Sequence, residues 1–144
     1  MVRRPDGVAS MNAKTISVII VEDSEIVRTR LAALLSQVPG VTIAAQARDG
    51  VQALSLIAEH RPQAVLLDIE LPGLNGLKLL ESLKRSYPEC RVIVLTTYAF
   101  AEFRRRCEDL GADHFLDKSM DFERIPALLT AMRETPGAPH PNPA

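Results

Sequence analysis

Two kinds of apolar block alternate along the chain: short continuous runs closed by turn residues, and longer stretches whose apolar residues recur at helical spacing. The order strand then helix occurs five times over. The strand-like runs are Ile16 to Val21, Val41 to Ala47, Ala64 to Leu67, Arg91 to Thr96 and His114 to Leu116. Between them, Ser24 is expected to cap a helix with Val27, Leu31, Leu34, Leu35 and Val38 on one face, closed by Pro39-Gly40. Asp49 is expected to cap a second helix with Val51, Leu54, Ile57 and Ala58 inward, stopped by Arg61-Pro62. Leu77, Leu80 and Leu83 mark a third helix that ends near Tyr87-Pro88. A fourth carries Phe100, Phe103, Cys107 and Leu110 on one side, Arg104, Arg105 and Arg106 on the other, and Gly111 at its exit. Asp121 is expected to cap the last helix, with Phe122, Ile125, Leu128, Leu129 and Met132 inward and Pro126 in the first turn.

Strands that are apolar without alternation are covered on both faces. Five such units joined by right-handed crossovers predict a central parallel sheet with helices on either side. In a parallel sheet the C-terminal ends of the strands share one edge. Here those ends carry Glu22-Asp23, Asp68, Thr96 and Asp117-Lys118. Asp68 closes its apolar run and opens the turn Ile69-Glu70-Leu71-Pro72-Gly73, so a carboxylate sits at the rim of a buried strand. Acidic groups, a hydroxyl and an amine converging on one carboxylate suit a divalent metal and a phosphoryl group.

Composition narrows the picture. A chain of 144 residues suits one domain, and with no Trp, only 4% aromatics and 47% hydrophobic residues its core must be aliphatic. The net charge of −1 gives no general pull toward nucleic acid or anionic lipid, so any partner is recognised locally. Cys90 and Cys107 lack metal-ligand spacing and read as reduced, partly buried thiols. No apolar stretch approaches the roughly 20 residues that span a bilayer, and Arg3-Arg4 is not followed by a signal-peptide pattern, so membrane insertion is not expected and the cytoplasm is the default location. Residues 1–14 and the proline-rich 135–144 read as flexible tails flanking a domain over 15–134, with Met11 an alternative start. His60, His114 and His140 read as structural or exposed, and the triple arginine as a solvated helix face.

From about Thr15 to Arg133 the arrangement resembles the receiver domain of bacterial two-component response regulators, similar to the chemotaxis regulators. The resemblance rests on Glu22-Asp23, on Asp68 with Leu71-Pro72-Gly73 and Gly76, on Thr96, and on Lys118, in that order and each at a strand end. It implies a flavodoxin-like doubly wound (βα)5 sandwich with strand order 2-1-3-4-5. The switch point then lies between the first and third strands, where open α/β sheets bind ligands. It implies Mg²⁺ held by Glu22, Asp23, Asp68 and the main-chain carbonyl of Glu70. It also implies an aspartyl phosphate on Asp68, with Lys118 and Thr96 contacting phosphoryl oxygens. Thr96 and Phe115, three residues before Lys118, would form the switch: the hydroxyl moves toward the phosphoryl group and the aromatic ring turns inward.

Several residues keep a second reading. Asp23 also suits a helix-terminal carboxylate, and Phe115 also suits plain core. Ser119 stands where a proline usually follows the lysine, so no cis peptide is expected there. Glu22 replaces the frequent Asp, and its longer arm reaches a metal through water. Ile69, Glu70, Thr97 and Tyr98 flank the site and are expected to control water access. The function expected is a stand-alone regulator that takes a phosphoryl group from a histidine kinase or a histidine phosphotransfer protein and acts on a downstream protein target. No direct nucleic-acid contact and no catalysis beyond its own phosphorylation and dephosphorylation are expected. Alternatives are a Mg²⁺-dependent phosphohydrolase with an aspartyl nucleophile, in which Glu70 takes the place of the general acid, and a degenerate receiver that binds partners regardless of phosphorylation.

Overall fold

The computed structural model describes residues 14–71 and 75–135. Five strands, β1 (Ile16–Val21), β2 (Val41–Ala47), β3 (Ala64–Asp68), β4 (Arg91–Thr96) and β5 (His114–Asp117), form one parallel sheet in the order β2-β1-β3-β4-β5. Five helices alternate with them: α1 (Glu25–Ser36), α2 (Gly50–His60), α3 (Gly76–Ser86), α4 (Ala101–Asp109) and α5 (Ile125–Glu134).

The sheet divides the core into two layers because successive side chains of a strand point to opposite faces. Ile19, Val21, Val65, Leu67, Val92, Val94 and Phe115 meet α2, α3 and α4 through Ala53, Ile57, Leu79, Leu80, Leu83 and Cys107. The alternate residues Val18, Ile20, Leu66, Ile93, Leu95 and Leu116 meet α1 and α5 through Leu31, Leu35, Ile125, Leu129 and Met132. Each such buried aliphatic side chain contributes about 1.5–3 kcal/mol. The edge strand β2 is only partly covered, and it carries a register shift opposite Val18 and Ile19 that the apolar pattern did not foretell.

Helix starts follow local chemistry. Ser24 Oγ accepts the amide of Val27, and Asp49 Oδ1 accepts that of Gln52 at 2.8 Å, as expected. Asn75, not foreseen, caps α3 by accepting the amides of Leu77 and Lys78. Arg61, φ 48°, ends α2 in the left-handed region, and its amide still donates to the Ile57 carbonyl.

Three expectations are corrected. The inward face of α2 is Gly50, Ala53 and Ile57, whereas Val51 (74% exposed), Leu54 and Ala58 face outward. The small residues let the helix lie close to the sheet, and fit wins over side-chain size. Phe100 is not on the buried side of α4 but precedes it with extended backbone; it is 66% exposed and stacks on Tyr98 with centroids 6.3 Å apart. Asp121 makes no cap bond: a 3₁₀ turn (Phe122–Arg124) intervenes before α5, and Asp121 Oδ2 instead accepts the amide of Asp117 at 2.9 Å.

Cys90 and Cys107 are free and buried, and burial pushes their thiols up to about 12 and about 11. Among the described residues no peptide is cis, and no helix is long and apolar enough to cross a membrane. Pro72, Gly73 and nearly all of both expected tails lie outside the described residues.

Candidate functional site

Strand register sets the geometry. Val21 pairs with Leu67, Asp68 with Leu95, and Thr96 with Asp117, so Glu22, Asp68, Thr96 and Lys118 all emerge at the C-terminal rim of four neighbouring strands. Gly76 sits at this rim for a steric reason: a Cβ there would lie 2.0 Å from the carbonyl oxygen of Ile69, so only glycine lets α3 start against the turn that carries Asp68.

Glu22 is fully buried. Its Oε2 accepts the amide of Ser24 at 3.1 Å, and its main-chain carbonyl accepts from the guanidinium of Arg28 at 2.9 Å. Its Oε1 lies 3.0 Å from the ammonium of Lys118 as an ion pair, yet lacks an aligned hydrogen bond. Lys118 also reaches Asp68 Oδ2, at 3.3 Å. The other Asp68 oxygen accepts the amide of Glu70 at 2.9 Å. Asp23 is exposed, but one oxygen each from Glu22, Asp23 and Asp68 lie within 4.8 Å of one another.

Three carboxylates thus cluster here, and two of them, Glu22 and Asp68, share one ammonium. Burial, with the neighbouring Glu22 charge adding to it, pushes the Asp68 carboxyl up to about 7 against the opposing Glu70 amide and Lys118. Burial alone would lower Lys118, but the two carboxylates outweigh it and its pKa is raised. A site with surplus negative charge and a buried carboxylate oxygen short of a hydrogen bond fits an oxygen-ligated divalent cation.

Thr96 is fully buried and does not turn to Asp68. Its hydroxyl donates to Glu70 Oε2 at 2.5 Å and accepts the amide of Tyr98 at 2.9 Å. Glu70 Oε2 also accepts the amide of Thr97 at 3.0 Å, and the Thr97 hydroxyl bridges both carboxylate oxygens. The sequence reading gave Glu70 a main-chain ligand role and a flanking position; its side-chain clasp was missed. The available signal was an acid two places after Asp68 facing two adjacent threonines.

Phe115 is 3% exposed and already points into the core, edge-on to Phe103 at 6.0 Å, with the Arg104 guanidinium 4.9 Å above its ring. Arg104, Arg105 and Arg106 are all exposed, as expected, and Arg104 adds a cation–π contact to that face. A cavity of about 460 Å³ lined by Arg61, Gln63, Tyr87 and Arg91 opens among the N-terminal ends of the strands and contains none of the expected site residues.

The profile of the response regulator receiver domain matches residues 18–130. The chain belongs to that family. The receiver is 36% identical over 114 residues to a protein-glutamate methylesterase/protein-glutamine glutaminase of Treponema pallidum, covering 78% of this chain and 28% of the relative. It is 33% identical over 110 residues to the response regulator GacA of Pseudomonas aeruginosa, covering 76% of this chain and 51% of GacA. The solved receiver domain of a putative NarL from Mycobacterium tuberculosis superposes with a TM-score of 0.77 at 26% identity, over 86% of this chain and all of that one. The chain spans about half or less of the length of these curated relatives. Family membership makes it a unit of two-component signalling with the flavodoxin-like fold expected from the sequence.

Proposed function

We propose that this receiver accepts a phosphoryl group on Asp68 from a histidine kinase or a histidine phosphotransfer protein and, once modified, changes its affinity for a downstream protein target in the cytoplasm. The observation that carries the reading is the Lys118 ammonium held between Glu22 and Asp68 at 3.0 and 3.3 Å. In the step, an Asp68 oxygen bonds to phosphorus as the phosphorus–nitrogen bond of the phosphohistidine breaks. The imidazole leaves with the bonding electrons and takes up a proton. Lys118 offers fixed positive charge to the incoming group, and Thr96 offers its hydroxyl to a phosphoryl oxygen. Mg²⁺, held by Glu22, Asp23, Asp68 and the Glu70 main-chain carbonyl, supplies the remaining countercharge when bound.

Thr96 and Phe115 carry the change outward in this proposal, toward the surface of α4, β5 and α5. The stand-alone reading is part of the proposal, and the intact mass of the protein from its source checks it. The phosphohydrolase alternative needs Glu70 as general acid, and its carboxylate is committed to Thr96 and Thr97.

Incubation with Mg²⁺ and acetyl phosphate, followed by mass spectrometry, tests the reading. Wild type should gain one phosphoryl group and Asp68→Ala none. Turnover of small phosphate esters would point to the hydrolase. An unmodified wild type would leave a binding module.

A further inference from the structure

The Thr96 hydroxyl, the group expected to meet phosphate, already serves an anion in this structure. Glu70 Oε2 receives two donors at once, the Thr96 hydroxyl at 2.5 Å and the Thr97 amide at 3.0 Å. A third donor, the Thr97 hydroxyl, holds the carboxylate from the side, 3.1 Å from Oε1 and 3.0 Å from Oε2. Meanwhile the Glu70 amide is pinned to Asp68 Oδ1 at 2.9 Å. One residue therefore ties the loop after β3 to the loop after β4, with its main chain on the phosphoacceptor and its side chain on the switch threonine.

Charge-assisted hydrogen bonds of this kind are the strong ones, and a hydroxyl has only one proton to give. Thr96 cannot donate to Glu70 and to a phosphoryl oxygen together. A phosphoryl group on Asp68 would also set roughly two negative charges beside a carboxylate two residues away.

We propose that Glu70 is an internal competitor of the phosphoryl group: its carboxylate occupies the Thr96 and Thr97 donors in the unmodified receiver, and phosphorylation must expel it. The inference rests on Asp68 being the phosphoacceptor. It makes the switch an exchange of one anion for another on the Thr96 hydroxyl, with Thr97 holding the outgoing carboxylate. Glu70 acts as a positioning residue through Thr96 and Thr97, and the energy of the clasp is subtracted from whatever the modification gains there.

The test is a titration of the full chain with beryllofluoride, a phosphoryl mimic, at fixed Mg²⁺, read from the amide resonances of Thr97 and Tyr98. Glu70→Ala should bind it on the order of tenfold more tightly than wild type, the worth of one charge-assisted hydrogen bond. Thr97→Val alters no charge and removes only the hydroxyl that serves Glu70, so it should tighten binding by a smaller factor. Equal or weaker binding by Glu70→Ala overturns the competition. Tighter binding by Glu70→Ala with Thr97→Val unchanged also overturns it, because charge repulsion alone would then suffice. Asp68→Asn separates this inference from the one beneath it: if that variant binds the mimic as wild type does, the phosphoacceptor assignment fails and the competitor falls with it. If wild type binds, Asp68→Asn does not, and the Glu70 and Thr97 variants follow the stated order, both stand.

Discussion

Asp68 is a buried acid whose proton affinity is set by its surroundings. Burial raises its carboxyl to about 7, so the folded protein holds this proton more tightly than the unfolded chain, where the group has its ordinary value of 3.8. The stability that follows is fully present below the unfolded value and is lost as pH rises through about 7. Asp68→Asn removes that loss. In metal-free buffer its melting temperature should exceed that of wild type by a larger margin at pH 8 than at pH 5, measured by calorimetry. Lys118 shows the reverse dependence on partners. Its removal in Lys118→Met leaves buried Glu22 without its countercharge, for a cost of about 3–5 kcal/mol in metal-free denaturant unfolding. Added Mg²⁺ should restore part of that. The positions of Asp68, Thr96 and Lys118 were legible because each ends an apolar run. The Glu70 side chain was not, because an acid in a turn gives no periodic signal and its partners lie on another strand.

At the scale of elements, every strand and helix was visible in the alternation of apolar blocks, but the inward faces were not all readable. Hydrophobicity chose Ile57 correctly on α2 but also Val51, Leu54 and Ala58, while close approach to the sheet chose Gly50 and Ala53 beside Ile57. Phe100 matched the helical spacing of Phe103 and Cys107, yet α4 starts one residue later and its ring turns out against Tyr98. Asp121 had the right chemistry for a cap, but Asp117 claims its carboxylate. Junctions between elements carry the sharpest steric constraint. Gly76→Ala would drive a methyl group into the Ile69 carbonyl, so overpacking should cost at least about 1–3 kcal/mol. Because Ile69 adjoins Asp68, the same variant should also slow modification by acetyl phosphate, measured beside the unfolding curve.

For the whole molecule, the two-layer aliphatic core fixes where the strand ends lie, and the ends supply the chemistry. Fold class and sheet order followed from pattern and resemblance together, since doubly wound packing leaves one edge where all C-terminal strand ends meet. Binding at that edge couples to global stability. Mg²⁺ at about 100 times its dissociation constant should stabilise the fold by about 2.7 kcal/mol, and Asp68→Ala should weaken that gain, read as the shift in thermal midpoint with and without metal. The surplus of carboxylates over ammonium groups at the rim is the reason: the cation offsets repulsion that the native state otherwise retains.

The amide of Tyr98 is fastened to the Thr96 hydroxyl, and its ring is stacked on Phe100 in the open. The chain has no tryptophan and just two tyrosines, the other being Tyr87. Its ultraviolet emission therefore contains a reporter wired to the hydroxyl at the heart of the site, and the protein should signal its own state to a fluorimeter without any dye attached.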